Sequence, residues 1–427
     1  VSALLFGLIP ALRATRPDLS TTLKDDARGV GGGGVRTRLR AGLTVGQVAL
    51  ALMLLVSCGL MARSFARLVS VDPGFRPEQL LTMEYRLPVS KYPEGTRQIA
   101  FHQQVVERVR QLPGVRSATG IRALPFSGNG GTATFSVPEQ PKNAGDPARE
   151  ALVNWADPYT FETLGIPLLQ GRGFSETDRE GAPMVAVINR RMAEALWPKG
   201  GAIGRKIVVE ANPAVEATII GVVGDVRHYA LDDQDSYQIW GAQAQSPHIF
   251  NTLAVRTVGD PMQMARSVTE AVWSVDRDQP VWKVRTLHSL IDRSLGLRKF
   301  LLGLMGAYAV LALLLAMVGV YGVVAYSVAQ RVRELGVRMA LGADRASIFR
   351  LVVGQGMRMV ALGVVLGAGG ALALTRLIQS LLFRVPPHDP LTFLLVAGFL
   401  ALVAFVACAV PARRATRLDP LSALRCE

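Results

Sequence analysis

Cysteine is almost absent from this chain of 427 residues, which contains only Cys58, Cys408 and Cys426. Two of them lie in strongly apolar runs and the third lies in the C-terminal tail, so the long segment 63–299 contains none. A disulfide framework is therefore excluded for that segment, and no pair of cysteines has the spacing of a zinc site.

Motifs for catalysis are equally scarce. The five histidines follow no H-E-x-x-H pattern and are scattered at His102, His228, His248, His288 and His388. Asp225 and His228 could form an acid–base pair, but they follow a strand that looks structural. The stretch Gly200–Lys206 lacks the spacing and the hydroxyl residue of a phosphate-binding loop, and we interpret it as a turn before a strand. We therefore predict no catalytic residue, no cofactor, no metal site and no ATPase activity in this chain.

Charged residues are missing from four long apolar runs. Half of all residues are hydrophobic, and the mean hydropathy is +0.28. The runs are Ala41–Met61, Phe300–Val328, Met359–Thr375 and Leu391–Val410. A bilayer core needs about 20 apolar residues, and buried helices of soluble proteins, the alternative, rarely run so long without a charge. The sequence predicts transmembrane helices at 41–62, 300–328, 351–375 and 391–410.

Acidic residues are too few to balance the basic ones, and the formal net charge is +14. Such an excess is typical of nucleic-acid-binding proteins or of the cytoplasmic loops of membrane proteins. The stretches 10–40, 331–358 and 411–427 lie beside the apolar runs and hold 17 Lys or Arg against 7 Asp or Glu. This distribution favours a membrane protein with no nucleic-acid partner. It predicts cytoplasmic termini and places residues 63–299 and the short loop 376–390 outside the cytoplasm.

The outside segment 63–299 shows alternating strand and helix patterns. A strand, a helix and a strand are predicted at Leu80–Leu87, Gly95–Gln111 and Val115–Ile121, and again at Leu253–Thr257, Pro261–Val275 and Val281–Arg285. Two such β-α-β units predict a split ferredoxin-like module with an inserted subdomain at about 125–250. In the subdomain we predict strands at Met184–Asn189, Lys206–Glu210 and Ala217–Val223, and loops at Ser127–Thr132 and Pro138–Asp146. The predicted fold class is a multi-pass α-helical membrane protein with a large α/β extracytoplasmic domain.

Small residues recur at four-residue spacing in two of the apolar runs. The pairs are Gly42 with Gly46, and Gly363 with Gly367. Because glycine lets membrane helices approach closely, we predict that all four residues pack against neighbouring helices.

The segment after the second apolar run has the pattern of a short amphipathic helix. Helical spacing from Arg331 places Val332, Leu335 and Met339 on one stripe, and Glu334 and Arg338 form an i,i+4 pair in the favourable order. Gly342 is suited to end this helix, and Asp344 to cap the next one. Periodicity alone leaves two interpretations: a helix that docks on a partner protein, or one that rests among lipid headgroups.

The same segment, Gln330-Arg-Val-Arg-Glu-Leu-Gly-Val-Arg-Met-Ala-Leu-Gly-Ala343, resembles the cytoplasmic signature of the FtsX/MacB-like permease family. The outside segment resembles the MacB-like periplasmic core domain at Phe161–Arg172, Val185–Asn189, Ile203–Lys206 and Ile219–His228. The resemblance covers nearly the whole chain. It implies that a cytoplasmic ABC ATPase dimer docks on the segment 329–350. The residues implied in that coupling are Arg331, Val332, Arg333, Glu334, Leu335, Gly336, Arg338, Met339, Leu341 and Gly342.

The two ends of the chain repeat each other. Pro10-Ala-Leu-Arg-Ala-Thr-Arg16 matches Pro411-Ala-Arg-Arg-Ala-Thr-Arg417 at six of seven positions. The match resembles the duplicated orphan permeases described from acidobacteria. It predicts that residues 1–40 are the tail and linker of a preceding permease unit, while 411–427 is this unit's own tail.

The favoured functional hypothesis is the permease subunit of an ABC-type system in the bacterial inner membrane. Motion of the partner ATPase would pass to the periplasmic domain for efflux or export of peptides, amphiphiles or lipoproteins. The expected partners are the ATPase dimer, a second permease unit, the lipid bilayer, and a periplasmic or outer-membrane protein. The alternative is a membrane-anchored receptor or scaffold without an ATPase. A membrane-anchored hydrolase would need a nucleophile and base that the sequence lacks.

Overall fold

The computed structural model describes residues 32–141, 147–210, 213–233, 236–341, 343–377, 379, 382–386 and 388–416. The helices are α1 (Gly32–Val69), α2 (Gly95–Arg110), α3 (Thr160–Leu164), α4 (Arg190–Leu196), α5 (Ala265–Val275), α6 (Leu287–Ser294), α7 (Gly296–Gln330), α8 (Val332–Ala340), α9 (Arg345–Leu377) and α10 (Pro390–Ala415). The strands are β1 (Leu80–Arg86), β2 (Val115–Ile121), β3 (Gly131–Ser136), β4 (Glu150–Ala156), β5 (Leu168–Gly171), β6 (Val185–Asn189), β7 (Lys206–Val209), β8 (Val215–Val223), β9 (Tyr237–Ala242), β10 (Phe250–Thr257) and β11 (Val281–Thr286). The chain divides into a helical unit, up to residue 65 and from 301 onward, and an α/β unit, 66–300.

Four helices of the described residues are long and apolar enough to cross a membrane. They are Arg38–Val69, Gly296–Gln330, Arg345–Leu377 and Pro390–Ala415, with lengths of 32, 35, 33 and 26 residues. At about 1.5 Å per residue, each exceeds the roughly 30 Å of a hydrocarbon core. The predicted four-helix membrane architecture is confirmed. The exact domain boundaries given above stay predictions.

The core of the helical unit forms around α1, the most buried of the four long helices. Val48, Leu52 and Val56 of α1 belong to one apolar cluster with side chains from all the other long helices. Those partners include Val320 and Val324 of α7, Val360 of α9, and Leu400 and Ala404 of α10. The broadly apolar surfaces that remain exposed on α7, α9 and α10 are those expected of helices that also contact lipid.

The two pairs of glycines that were predicted to pack against other helices have different surroundings. Gly363 and Gly367 of α9 lie against α1, where a Cβ at Gly363 would be 2.7 Å from the Val48 Cβ. A Cβ at Gly367 would be 2.8 Å from the Ala49 carbonyl oxygen. Gly42 and Gly46, by contrast, have no described atom within 4 Å of a Cβ position. No described part of this chain therefore packs on Gly42 or Gly46, and a packing role for these two residues stays a prediction.

Gly367→Ala is expected to destabilise the chain, whereas Gly369→Ala on the same helix is not. The new methyl group at position 367 would collide with the backbone of α1, and overpacking of this kind costs about 1–3 kcal/mol. Gly369 faces open space, so alanine there should be neutral or stabilising by up to about 1 kcal/mol. Thermal unfolding in detergent measures both variants. A Gly367→Ala melting temperature at or above that of Gly369→Ala would contradict close packing at this position.

The α/β unit contains the predicted split ferredoxin-like module. Its strands are ordered β11-β1-β10-β2, and each neighbouring pair is antiparallel. Phe101 and Val105 of α2 and Val268 and Val272 of α5 share one core with Met83 of β1. Both helices therefore cover one face of the sheet, as a ferredoxin-like arrangement requires.

The inserted subdomain is a six-stranded closed sheet. The pairings run β4-β3-β7-β8-β6-β9, and a parallel pairing of β9 with β4 completes the ring. Phe135, Ile188, Ile207 and Ile239 fill its interior together with Met192 of α4. The predicted loop Ser127–Thr132 is partly wrong, because β3 begins at Gly131 and pairs there with Val153. The stretch Gly200–Lys206 is a turn before β7, as predicted, with positive φ at Gly200, Gly201 and Gly204.

Candidate functional site

The candidate coupling site is α8 together with the helix ends that surround it. α7 ends at Gln330, and α8 begins two residues later after the non-helical Arg331. Leu335 of α8 packs against Ile348 near the start of α9 and Ala415 at the end of α10. The C-terminal end of α7, the N-terminal end of α9 and the C-terminal end of α10 therefore meet around α8, at one end of the helical unit.

The buried face of α8 is the apolar stripe. Leu335 is only 2% exposed, Gly336 is buried, and Val332 and Met339 are half-buried. The sequence-based hypothesis used this stripe to hold a partner protein, but in the structure it is already occupied by α9 and α10. The prediction that this stripe faces a partner protein is therefore wrong. The stripe attaches α8 to its own helical unit, because α8 is too short to be stable without tertiary packing.

The exposed face of α8 is mixed in character. Glu334 and Arg338 form the expected ion pair, with 2.7 Å between Oε1 and Nη2. Beside this pair Val337 is 41% exposed, and Leu341, directly after the helix, is 82% exposed. The arrangement offers a partner two apolar side chains next to a surface ion pair, and such pairs contribute more to specificity than to stability.

The remaining residues predicted to couple to the ATPase make few described contacts. Arg331 is exposed, and its Nη1 lies 3.4 Å from Oε1 of Gln355 on α9. Arg333 is part of α8, but its side chain lies outside the described residues, as does all of Gly342. Asp344 directly precedes α9, and its carbonyl oxygen accepts from the backbone of Ser347.

Two contacts that sequence reasoning missed tie further basic residues to this end of the unit. The Arg40 guanidinium of α1 lies 4.6 Å from the ring centroid of Tyr326 on α7. Nη1 of Arg414 on α10 donates to the Tyr321 hydroxyl at 3.3 Å. The signal was present as tyrosines near one end of an apolar run, a position where amphipathic rings are common in membrane helices.

The opposite end of the helical unit has its own polar contacts. Arg63 of α1 forms an ion pair with Asp389, which also accepts from the backbone of Thr392 at the start of α10. The Ser64 hydroxyl accepts a hydrogen bond from the backbone of Phe383 at 2.7 Å. At this end an arginine of α1 is therefore fixed to the residue that precedes α10.

The suggested acid–base pair in the α/β unit is not formed. Asp225 accepts from the Asn189 side chain at 2.7 Å and from Arg190 at 3.0 Å, while Nε2 of His228 contacts the Asn129 carbonyl oxygen at 2.8 Å. Burial lowers the pKa of His228, because the charged imidazolium would lose solvation. Among the described residues no group of three His, Cys, Asp or Glu side chains could hold a metal ion.

Comparison with known proteins gives the family. Residues 41–270 match the family model described as MacB-like periplasmic core domain, and residues 306–420 match FtsX-like permease C-terminal. The first match covers α1 from residue 41 and most of the α/β unit, and the second covers most of α7 together with α8, α9 and α10.

Curated relatives match over most of the chain. It is 23% identical over 407 residues to the pyoverdine export ATP-binding/permease protein PvdT of Pseudomonas syringae pv. syringae, covering 90% of this chain and 56% of that protein. It is 29% identical over 273 residues to the macrolide export ATP-binding/permease protein MacB 2 of Aeromonas hydrophila subsp. hydrophila, covering 62% of this chain and 41% of that protein. The chain therefore spans about half the length of these relatives.

A solved structure of the periplasmic region of MacB from Actinobacillus actinomycetemcomitans is similar over 53% of this chain and 97% of its own, with a TM-score of 0.35 and 13% identity. Four candidate membrane helices and a domain of this family fit a protein of the inner membrane. The chain belongs to the FtsX/MacB-like permease family, with a MacB-like periplasmic core domain followed by an FtsX-like permease region.

Proposed function

We propose that this chain is the permease component of an ABC-type exporter and that a cytoplasmic ATPase dimer moves it through α8. The observation that carries the proposal is that α8 is buried on one face and exposed on the other. One face is held by α9 and α10, and the other presents Val337, Leu341 and the Glu334–Arg338 pair. An element that is fixed to the helices on one side and exposed on the other suits transmission of a force.

The orientation follows from charge. Described arginines gather at the α8 end of the helical unit, at Arg40, Arg331, Arg338, Arg345 and Arg414. Because basic residues are retained on the cytoplasmic side of membrane helices, this end and both termini would face the cytoplasm. The α/β unit, which the chain enters from α1 and leaves through α7, would face the periplasm.

The mechanism requires that motion reaches the periplasmic domain through connected elements. Displacement of α8 would move Ile348 and Ala415 through Leu335, and it would move α7 through the peptide chain at Arg331. The N-terminal end of α7 continues directly from the last residues of the α/β unit. A ligand is then driven only if two states of that domain bind it with different affinity.

The relatives named above are called exporters of macrolides and of pyoverdine. By that likeness we propose export of a peptide, an amphiphile or a lipoprotein, with a periplasmic or outer-membrane partner. The end-to-end repeat supports a second permease unit fused upstream, although residues 1–31 and 417–427 lie outside the described part of the chain.

A direct test is purification of the full chain from native membranes, followed by photolabelling with azido-ATP. The proposal expects a co-purified nucleotide-binding protein whose ATPase activity depends on the permease. The receptor or scaffold hypothesis expects no labelled protein at all. Absence of a label under conditions in which a known exporter retains its ATPase would contradict the proposal.

A further inference from the structure

The interior of the closed sheet in the inserted subdomain is only partly filled. Phe135, Ile188 and Met192 pack inside it and are at most 1% exposed. Other positions that face inward by alternation along their strands carry small residues and line a cavity of about 600 Å³. These positions are Gly131, Ala133, Ala186, Ala217 and Gly241. The cavity has the size of a small-molecule site, and protein interiors seldom leave such a volume unfilled.

The larger side chains that line this cavity are mainly apolar. They include Val153 and Trp155 of β4 and Ile239 of β9. The indole of Trp155 lies on the backbone of Gly241, its partner in the parallel pair of β4 with β9, and leaves no room there for a Cβ. Trp155 itself is only half-buried. Branched aliphatic side chains and an accessible aromatic ring suit the apolar part of a ligand.

Arg122 is the one charged residue among the described residues that line the cavity. It is exposed, and in the described part of the chain it forms no ion pair. Two acids on the lining strands are engaged elsewhere, because Glu216 pairs with Lys206 and Glu210 accepts from the Thr134 hydroxyl. An anion that entered the cavity would therefore meet a guanidinium that holds no carboxylate of this chain.

Arg122 lies beside the aromatic wall of the cavity. Its backbone N–H donates to the Trp155 carbonyl oxygen at 3.1 Å. The Trp155 ring centroid is 5.3 Å from that of His248. Burial lowers the pKa of His248 to about 3, and the nearby charge of Arg122 contributes to the lowering. The cation is therefore within reach of a ligand whose apolar part rests on the indole.

We propose that this cavity binds the anion of a single-chain carboxylic acid, whose carboxylate pairs with Arg122. Its carbon chain lies against Val153, Trp155 and Ile239. A guanidinium presents its N–H donors in a fork that matches the two oxygens of a carboxylate, and one cation balances one monoanion. The cavity lies wholly within the α/β unit and its binding requires no nucleotide, so the proposal stands independently of ATPase coupling.

Ligand-observed NMR of the full chain in a nonionic detergent tests the site, with empty micelles as the blank. The probes are hexanoate, 1-hexanol and hexylammonium, which share a carbon chain and differ in charge. Hexanoate should bind at least about fivefold more tightly than hexylammonium, because Arg122 attracts the first and repels the second. Octanoate should bind more tightly than hexanoate, by about fourfold for each methylene that is buried. Equal affinities for hexanoate and hexylammonium would overturn the proposal.

Two variants separate the charge from the cavity. Arg122→Gln should weaken hexanoate about three- to tenfold, since the pair is charge-assisted but exposed, and should leave 1-hexanol unchanged. Ala133→Phe fills the cavity from the inward face that it shares with Phe135, and it should weaken both probes at least about tenfold.

Arg108→Gln is the matched control, because it removes an exposed arginine of α2 that does not line the cavity, and it should leave hexanoate binding unchanged. Melting temperatures show whether each variant is folded. Arg122→Gln changes only an exposed side chain, so it decides the question even if the larger phenylalanine disturbs the sheet. A hexanoate affinity that is unchanged in Arg122→Gln would contradict the site.

Discussion

Replacing Leu335 by aspartate is expected to lower the melting temperature of the purified chain by roughly 6–12 °C. Leu335 is 2% exposed and holds α8 to Ile348 and Ala415. The substitution removes that apolar contact and brings a carboxylate into the same space, for which we expect a loss of at least about 3 kcal/mol. Unfolding followed by intrinsic fluorescence in detergent measures the shift.

Val337→Asp is the matched control for this experiment, because it places the same charge two residues away on the exposed face of α8. Surface substitutions usually change stability by less than about 0.5 kcal/mol, so its melting temperature should stay within about 2 °C of the parent. If both variants melted alike, the burial pattern of α8 would be incorrect, and the helix would rest loosely among lipid headgroups as periodicity alone also allowed.

This contrast shows where sequence reasoning stopped. The spacing of Val332, Leu335 and Met339 correctly predicted an amphipathic helix and the Glu334–Arg338 pair. It could not tell whether the stripe faces a partner or the same chain. Ile348 and Ala415 settle that question, and Ala415 lies 80 positions from Leu335 along the sequence.

The glycine pairs give the same lesson. Gly42 and Gly46 have the spacing of Gly363 and Gly367, yet in the described part of the chain only the second pair meets a neighbouring helix. Spacing shows that two residues share a face of a helix, but the direction of that face depends on where all the other helices pack.

The α/β unit was predictable where its contacts are local. Each β-α-β unit forms from adjacent segments, so both were visible in the hydrophobic pattern. The inserted subdomain closes through pairing of β4 with β9, whose residues Ala151 and Tyr237 are distant in the chain. Gly131 and Thr132 in β3 looked like a loop, because strand formation there depends on tertiary pairing rather than on local preference.

The double variant Val337→Asp with Leu341→Asp is expected to abolish coupling while preserving the fold. Both side chains are exposed, so their loss should not destabilise the chain, but carboxylates would be buried in any partner groove that receives them. Retention of the azido-ATP-labelled ATPase should fall at least about tenfold, which corresponds to about 1.4 kcal/mol. Permease-dependent ATP hydrolysis should fall in parallel.

One control and one further variant make this result specific to α8. Val258→Asp changes a valine of the α/β unit that is 61% exposed, and it should leave ATPase retention unchanged. Exchanging Glu334 and Arg338, as Glu334→Arg with Arg338→Glu, keeps an i,i+4 pair at a cost of a few tenths of a kcal/mol, roughly the value of the pair itself. Because the exchange reverses the charges shown to a partner, a partner that recognises them should be lost even though the helix remains intact.

The pattern of outcomes separates the competing functions. Loss of the ATPase in the exposed-face variants, with retention in Val258→Asp, supports α8 as the contact through which the motor acts. Equal retention in every variant would mean that the ATPase binds elsewhere, and α8 would then only connect α7 to α9. Since the buried face already accounts for the attachment of α8 to the helical unit, the exposed Val337 and Leu341 are the residues on which the proposed coupling depends.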